Sequence, residues 1–185
     1  MTTHFGDQRA RGHDLFEIEF VPRRVDHPDA ASLLKAFYDE QVGRYGFAES
    51  VDLDPDMYDL PHGLFVVIYD HGRPVGCGGC RRLRTANGTM EIKKTYLVPD
   101  ARGHGLGRQL LVWLEARAVV LGAQRIILET GIRNDAALAL FRHSGYTPTD
   151  SYVVGRDPSI NRAFVKTLAG SGSRLMAGDA QRASA

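Results

Sequence analysis

The chain has little that would direct it to a membrane or to a polyanion. Its most apolar helical stretch, residues 110–121, is interrupted by Glu115 and Arg117, and a bilayer span needs about 20 apolar residues. The first 14 residues have no apolar core of the kind a signal peptide needs. With 23 Lys and Arg against 22 Asp and Glu, the net charge is +1, which implies no overall attraction to nucleic acid or anionic lipid. We therefore expect a cytoplasmic protein that binds neither nucleic acid nor membrane.

Cysteine is nearly absent, which excludes a disulfide framework. The two residues present, Cys77 and Cys80, form a Cys-x-x-Cys pair, but no second pair supplies the further ligands of a zinc site. The seven histidines show no metal-binding spacing such as His-Glu-x-x-His. In the strand predicted here, the odd spacing puts the two thiols on opposite faces. We expect no metal site, and we interpret these residues as small side chains that allow close packing.

Hydrophobic periodicity and turn residues predict an α/β domain over residues 14–168. Short apolar or alternating segments predict strands at 14–21, 64–69, 74–84, 89–98, 125–130, 151–154 and 162–168. Helical spacing predicts helices from Pro28 to about Tyr45, from Leu106 to Leu121, and from Asn134 or Asp135 to Ser144. The order β-α-β-β-β-α-β-α-β-β favours a mixed sheet. Residues 1–13 are expected to form a flexible N-terminus and residues 169–185 a disordered tail.

A glycine-rich loop joins the fourth predicted strand to the second helix. Residues 102–108 read Arg-Gly-His-Gly-Leu-Gly-Arg, and the glycines remove Cβ atoms that would keep a ligand from the backbone. The N–H groups and dipole of the following helix favour an anion such as pyrophosphate. A P-loop is absent, and the dinucleotide fingerprint fails because Arg108 replaces its last glycine. A tight turn that needs glycine only for packing is the alternative for the loop alone.

Two signatures, taken together, are specific. The first, Arg/Gln-x-x-Gly-x-Gly/Ala, is matched by Arg102, Gly105 and Gly107. The second is an asparagine that opens a helix, followed by an aromatic residue and Gly-Phe/Tyr, matched by Asn134, Phe141, Gly145 and Tyr146. Through them the sequence resembles the GNAT superfamily of N-acetyltransferases over roughly residues 14–168. The resemblance implies a single-domain GNAT-like α/β fold, a twisted mixed sheet with splayed central strands flanked by helices.

The resemblance also implies a co-substrate, acetyl-coenzyme A, and no metal. It assigns the pyrophosphate to the loop residues Arg102, Gly103, His104, Gly105, Leu106, Gly107 and Arg108. It assigns the pantetheine arm to the backbone of Thr95, Tyr96 and Leu97 and to contacts with Asn134 and Phe141. One N–H in the 95–97 segment would polarise the thioester carbonyl. The implied activity is acetyl transfer to a primary amine of a small molecule or peptide.

Two carboxylates are candidates for the general base that deprotonates this amine. Glu91 begins the fourth strand and Glu129 ends the fifth. We favour Glu91 slightly as the base. For each residue the alternative is an ordinary carboxylate at a strand end that is solvated or ion-paired. Many relatives carry a tyrosine acid where this chain has Phe141. Tyr146 and Tyr152 lie nearby in sequence, although packing is their ordinary role.

An acidic segment precedes the second strand. Its carboxylates, whose negative field favours a cationic amine, are Glu49, Asp52, Asp54, Asp56 and Asp59. A solvated acidic loop is the simpler interpretation. Because Phe141 lacks a transferable proton, a catalytically silent acetyl-coenzyme A sensor is the alternative function, and a nucleotide-binding domain is a weaker third one. The sequence leaves the oligomeric state open, including a homodimer.

Overall fold

The structure, a computed structural model, describes residues 17–48, 53–155 and 157–168. Seven strands are β1 Ile18–Pro22, β2 Gly63–Asp70, β3 Arg73–Arg82, β4 Thr89–Leu97, β5 Arg125–Gly131, β6 Thr147–Thr149 and β7 Asn161–Thr167. Three α-helices are α1 Pro28–Tyr45, α2 Leu106–Val120 and α3 Asp135–His143. The predicted order of elements is confirmed. The expectations for residues 1–13 and 169–185 lie outside the described residues, and within those residues no helix has the length and apolarity to cross a membrane.

One predicted strand is wrong. The penultimate strand is Thr147–Thr149, not residues 151–154, which have no regular structure apart from a bend and a turn at 153–154. The Tyr-Val-Val run suggested a strand. In the structure this segment leaves the sheet, and the hydroxyl of Tyr152 donates a hydrogen bond to Glu91. The true β6 is a short, exposed edge strand, and such a strand tolerates a proline and needs no apolar alternation.

The strands form one mixed sheet in the order β1-β2-β3-β4-β5-β7-β6. Only β4 and β5 run parallel; the other neighbours are antiparallel. Helix α1 packs on one face, and α2 and α3 pack on the other. Cys77 belongs to the core on the α1 face and Cys80 to the opposite core, so the expected separation of the two thiols is confirmed.

The two central strands separate soon after they meet. β4 and β5 pair over three residue pairs, from Thr89 with Arg125 to Glu91 with Ile127. Beyond that point β5 pairs with β7 alone along its length. On its other side β4 carries one more residue than β3, and Lys94 sits in this bulge with φ +59°. Because a bulge bends its strand and strengthens the local twist, a gap opens between β4 and β5. The expected splayed fold is confirmed.

Close packing at β3 depends on glycine. A Cβ atom at Gly79 would lie 2.7 Å from Cδ1 of Tyr58 and 2.8 Å from Cδ2 of Phe65. Both aromatic rings are fully buried and meet edge to face. The rings therefore pack on the bare backbone of the strand, on the face that carries α1.

We expect Gly79→Ala to lower the free energy of unfolding by about 1–3 kcal/mol, because the added methyl group overpacks two buried rings. Urea denaturation monitored by circular dichroism measures this change. The matched control is Gly43→Ala in α1, where no atom lies within 4 Å of the new Cβ; it should raise stability by up to about 1 kcal/mol through helix propensity. Equal stability of Gly79→Ala and the wild type would contradict the packing described here.

Candidate active site

A cleft of about 160 Å³ occupies the gap between β4 and β5. Helix α1 forms one wall, and one side of α3 and the segments around Tyr152 and Asn161 form the others. The charged side chains that line it are Glu91, Lys93, Lys94 and Glu129. Both candidate bases thus reach the same cavity, each from one of the two splayed strands.

The glycine-rich loop has the geometry of an anion site. Gly103 and Gly105 have φ of +83° and +80°, and open space lies where their Cβ atoms would be. Gly105 is the N-cap of α2, and the first backbone hydrogen bonds of this helix run from Arg108 and Gln109 to the Gly105 carbonyl. The N–H groups ahead of them have no partner within the helix. The loop therefore offers amide donors and the positive end of a helix dipole to an anion.

The other loop residues have different surroundings. A Cβ atom at Gly107 would lie 3.4 Å from Cδ2 of Leu140, so this glycine packs against α3. The Arg102 guanidinium donates to the Leu97 carbonyl at 2.9 Å and to Glu40 of α1 at 2.5 Å. It therefore connects the loop to β4 and α1 by its side chain. His104 and Arg108 are exposed, whereas Leu106 is buried in the core.

The three β4 residues assigned to the pantetheine arm do not all face the gap. The N–H of Val98 donates to Val75 on β3 at 2.9 Å. Because backbone groups alternate along an antiparallel strand, those of Tyr96 also point to β3, while those of Leu97 point away from it. The ring of Tyr96 stacks edge-on against Phe37, 6.0 Å between centroids. Thr95 also lines the cleft.

Helix α3 brings its two predicted residues to the cleft wall. Asn134 is the N-cap, and its side chain accepts the N–H of Ala137 at 3.3 Å. Phe141 lines the cleft but is otherwise a core residue, with its ring 5.9 Å from that of Tyr146 and 6.0 Å from that of Phe164.

Glu91 is an almost fully buried carboxylate whose oxygens are both engaged. Its side chain is 2% exposed. Oε2 accepts two 2.8 Å contacts from the Arg81 guanidinium. Oε1 accepts the hydroxyl of Tyr152 at 2.8 Å and lies 3.4 Å from Nζ of Lys93. A buried charge needs such compensation, and the arrangement leaves a substrate little direct access to this carboxylate.

Glu129 is more accessible. It is half-buried on β5, and its Oε1 accepts the hydroxyl of Ser151 at 2.7 Å. Burial raises the pKa of this carboxyl, and the Ser151 hydrogen bond and the charge of Lys93 partly oppose the rise. A carboxylate with a raised pKa is better matched to proton transfer near neutral pH.

The structure separates the two tyrosines near Phe141. Tyr152 lines the cleft, and burial together with the charge of Glu91 raises its pKa, so it keeps its proton. Tyr146 is in the core, and its hydroxyl donates to Glu115 at 2.9 Å. Only Tyr152 is therefore placed for chemistry in the cleft. The sequence offered both tyrosines as replacements for the acid. It could not select Tyr152, because this residue lies in an irregular segment whose position depends on tertiary contacts.

Sequence reasoning missed two cleft residues, Lys94 and Tyr38. Nζ of Lys94 lies 4.9 Å from the ring centroid of Tyr38 and 5.7 Å from that of Phe37. Lys94 is 7% exposed, and burial lowers its pKa to about 8. The sequence did contain a sign that one lysine is buried. Lys93 and Lys94 are adjacent in a strand covered on both faces, so their side chains cannot both reach solvent.

The described carboxylates of the acidic segment make local contacts. Glu49 and Asp52 lie outside the described residues. Asp54 accepts the N–H of Asp56 at 3.1 Å and caps a short 3-10 helix, and Asp59 pairs with Arg24. The described residues that line the cleft include none of these aspartates. A negative field from this segment at the acceptor site therefore stays a prediction.

Comparison with known proteins agrees with this fold. Residues 34–146 match the model of the acetyltransferase (GNAT) family, and the chain belongs to that family. An IAA acetyltransferase of Azospirillum brasilense is 33% identical over 140 residues, covering 75% of this chain and 91% of the relative. An aminoalkylphosphonate N-acetyltransferase of Salmonella typhimurium is 32% identical over 117 residues, covering 62% and 71%. The resemblance drawn from the two signatures is confirmed, and the protein is a GNAT-type acyltransferase.

A solved structure supports the fold. The PaiA N-acetyltransferase of Thermoplasma acidophilum, in complex with coenzyme A, superposes with a TM-score of 0.66 over 82% of this chain and 99% of that one. Its sequence identity is 14%, so the likeness concerns architecture alone. The open mixed sheet with helices on both faces is that of the family.

The compensation of Glu91 can be tested by stability. We expect Arg81→Met to lower the free energy of unfolding by about 3–5 kcal/mol, because it leaves a buried carboxylate without its main counter-charge. In the double variant Arg81→Met with Glu91→Met, most of this loss should be recovered. Urea denaturation of the wild type, both single variants and the double variant completes the cycle. Additive losses would show that the two side chains are not coupled.

Proposed function

We propose that the protein transfers the acetyl group of acetyl-coenzyme A to a primary amine of a small molecule. A peptide amine is the other acceptor considered from the sequence. The observation that carries the proposal is the combination of two features. One is an open anion-binding loop at the start of α2, and the other is a cleft between β4 and β5 that holds two carboxylates. The names of relatives support the enzyme class, and nothing in them supports a silent sensor.

The loop residues fit a pyrophosphate. Side chains at Gly103 and Gly105 would fill the open space in front of the loop, where amide donors and the helix dipole face outward. We assign the pyrophosphate to the backbone of residues 103–107. The candidates for polarising the thioester carbonyl are the N–H of Leu97, which points away from β3, and that of Thr95, a residue that lines the cleft. When bound, acetyl-coenzyme A supplies the acetyl group as an activated thioester.

We assign the general base to Glu129. An acceptor amine has a pKa of about 10.4 and must lose a proton before it can attack. The sequence slightly favoured Glu91, but the contacts favour Glu129. Both oxygens of Glu91 are engaged and its side chain is 2% exposed, whereas Glu129 is half-buried and its pKa is raised. Glu91 then acts as a positioning residue that holds Tyr152 and Lys93.

Tyr152 takes the place of the acid that Phe141 cannot provide. Its pKa is raised by burial and by Glu91, so its hydroxyl carries a proton throughout the physiological range. The thiol of coenzyme A has a pKa near the ~8.5 of cysteine, and its thiolate is therefore a tolerable leaving group. The Tyr152 hydroxyl has one proton, so it turns from Glu91 to the departing sulfur; that hydrogen bond is sufficient, and complete proton transfer is not required.

The cofactor site is tested by two glutamates placed at opposite ends of one helix. Gly105→Glu should abolish the binding of acetyl-coenzyme A, measured by calorimetry, because it fills the loop and places a negative charge beside the pyrophosphate. The control is Gly122→Glu at the other end of α2. Gly122 has φ +85° against +80° for Gly105, and both have open space at the Cβ position. Equal affinity in the two variants would overturn the assignment.

The general base is tested by pH–rate profiles. In the wild type, kcat/KM should fall as the pH drops through the raised pKa of Glu129, because only the ionised form accepts the proton. Glu129→Gln should remove this acidic limb and lower kcat by roughly 10²–10⁴-fold. Glu91→Gln should keep the limb.

The same profiles distinguish the alternatives. Loss of the acidic limb in Glu91→Gln and not in Glu129→Gln would transfer the role to Glu91. Tyr152→Phe should lower kcat with little change in the affinity for acetyl-coenzyme A. A wild-type protein that binds acetyl-coenzyme A and releases no thiol with any amine would favour the sensor.

A further inference from the structure

One side chain of α1 crosses the gap between the two splayed strands. Helix α1 packs on β3 and β4 and ends at Tyr45, where the N–H of Gly46 bonds to the Val42 carbonyl. The ring of Tyr45 continues to β5, since a Cβ atom at Gly131 would overlap its Cζ atom and its hydroxyl. Because residue 131 has no side chain, the ring lies directly on the backbone of β5. Both residues line the cleft, so this contact closes the cleft on one side.

Arg133, in the loop after β5, holds this ring in place. Its backbone N–H donates to the Tyr45 hydroxyl at 3.1 Å. Its guanidinium donates to the carbonyl of Arg44 at 2.8 Å and lies 5.9 Å from the centroid of the Tyr45 ring. A cation is favoured at the C-terminal end of a helix, where the last carbonyl groups have no partner within the helix. These contacts fix the end of α1 against the loop.

The Tyr45 ring lies close to the carboxylate assigned as the base. Glu129 and Gly131 are two residues apart on β5, so their Cβ directions point to the same face of the sheet. That face carries α1, because the Cβ direction at Gly131 meets Tyr45. At about 3.3 Å per residue, the ring lies roughly 7 Å from Glu129 along the strand. An amine placed at Glu129 therefore has little room for the group it carries in this direction.

The opposite end of the cleft is closed as well. There β4 and β5 are paired, and the last pair joins Glu91 to Ile127. Between the two ends the cleft measures about 160 Å³, whereas pockets that enclose drug-sized ligands measure about 300–1,000 Å³. This space must receive both the acceptor and the acetyl end of the cofactor. The size of the cleft therefore favours a short acceptor.

We propose that Tyr45, held by Arg133, is the end wall of the acceptor site and limits the acceptor to short primary amines. The substituent of the amine lies between Glu129 and the Tyr45 ring, and a longer chain collides with the ring. Tyr45 contacts the substrate, whereas Arg133 is a positioning residue that acts through Tyr45. This inference rests on the proposed function and selects a small-molecule amine over a peptide amine.

The test compares primary amines of different length: propylamine, octylamine and a lysine-containing peptide. In the wild type, kcat/KM for octylamine should be roughly tenfold or more below that for propylamine, because the extra methylene groups are forced against a packed ring. Tyr45→Ala removes the ring and should raise the octylamine-to-propylamine ratio by about tenfold, since the longer chain then fits the site.

Further variants identify what sets the limit. Tyr45→Phe keeps the ring and should keep the ratio. Arg133→Met releases the ring and should raise the ratio severalfold while kcat for propylamine stays unchanged. The control is Trp113→Ala, which also truncates a partly buried aromatic side chain on a helix but at a position that does not line the cleft; it should leave the ratio unchanged. If Tyr45→Ala fails to fold, Arg133→Met still tests the proposal.

A binding measurement separates this inference from the proposed function. Calorimetry in the presence of coenzyme A should detect propylamine but not octylamine in the wild type, and both amines in Tyr45→Ala. That pattern without acetylation of any amine would support the end wall and overturn the function. Wild-type acetylation of octylamine or of the peptide as fast as of propylamine would overturn the end wall and leave the function intact. The same ratio in Tyr45→Ala as in the wild type would also overturn it.

Discussion

The parallel pairing of β4 with β5 stops after three residue pairs, and the position of that stop determines the site. The last pair joins Glu91 on β4 to Ile127 on β5, and the side chain of Glu91 lines the cleft. Glu129 lies two residues further along β5 and lines the same cleft. The bulge at Lys94 lies just beyond the last β4–β5 pair and bends β4 there. An intact pairing would fill the gap with strand hydrogen bonds, and no cleft would exist between the two carboxylates.

The gap places charged groups in the interior, and the protein compensates them unequally. Glu91 has a guanidinium, a tyrosine hydroxyl and an ammonium group around it, which makes it a fixed anion that orders its neighbours. Glu129 accepts the hydroxyl of Ser151, and burial raises its pKa. Two carboxylates in different environments can hold different roles. On this basis we assign Glu91 to position its neighbours and Glu129 to accept a proton.

The sequence predicted the scaffold well, because the scaffold rests on local patterns. Helix α1 was predicted at its observed bounds from Pro28 and apolar periodicity, and Gly105 and Asn134 begin their helices as expected. The resemblance supplied the splay. Three features depend on tertiary contacts and were not predicted: the short edge strand β6, the bond from Tyr152 to Glu91, and the approach of Lys94 to Tyr38. The field of the acidic segment stays a prediction; of its described carboxylates, Asp54 caps a turn and Asp59 pairs with Arg24.

A crystal structure of the protein with coenzyme A tests the central claim most directly. The account predicts that the pyrophosphate lies against the amides of residues 103–107. It also predicts that the pantetheine arm passes between β4 and β5, with the sulfur near Tyr152 and Glu129. A coenzyme A molecule bound on another face, with β4 and β5 closed together along their length, would contradict it.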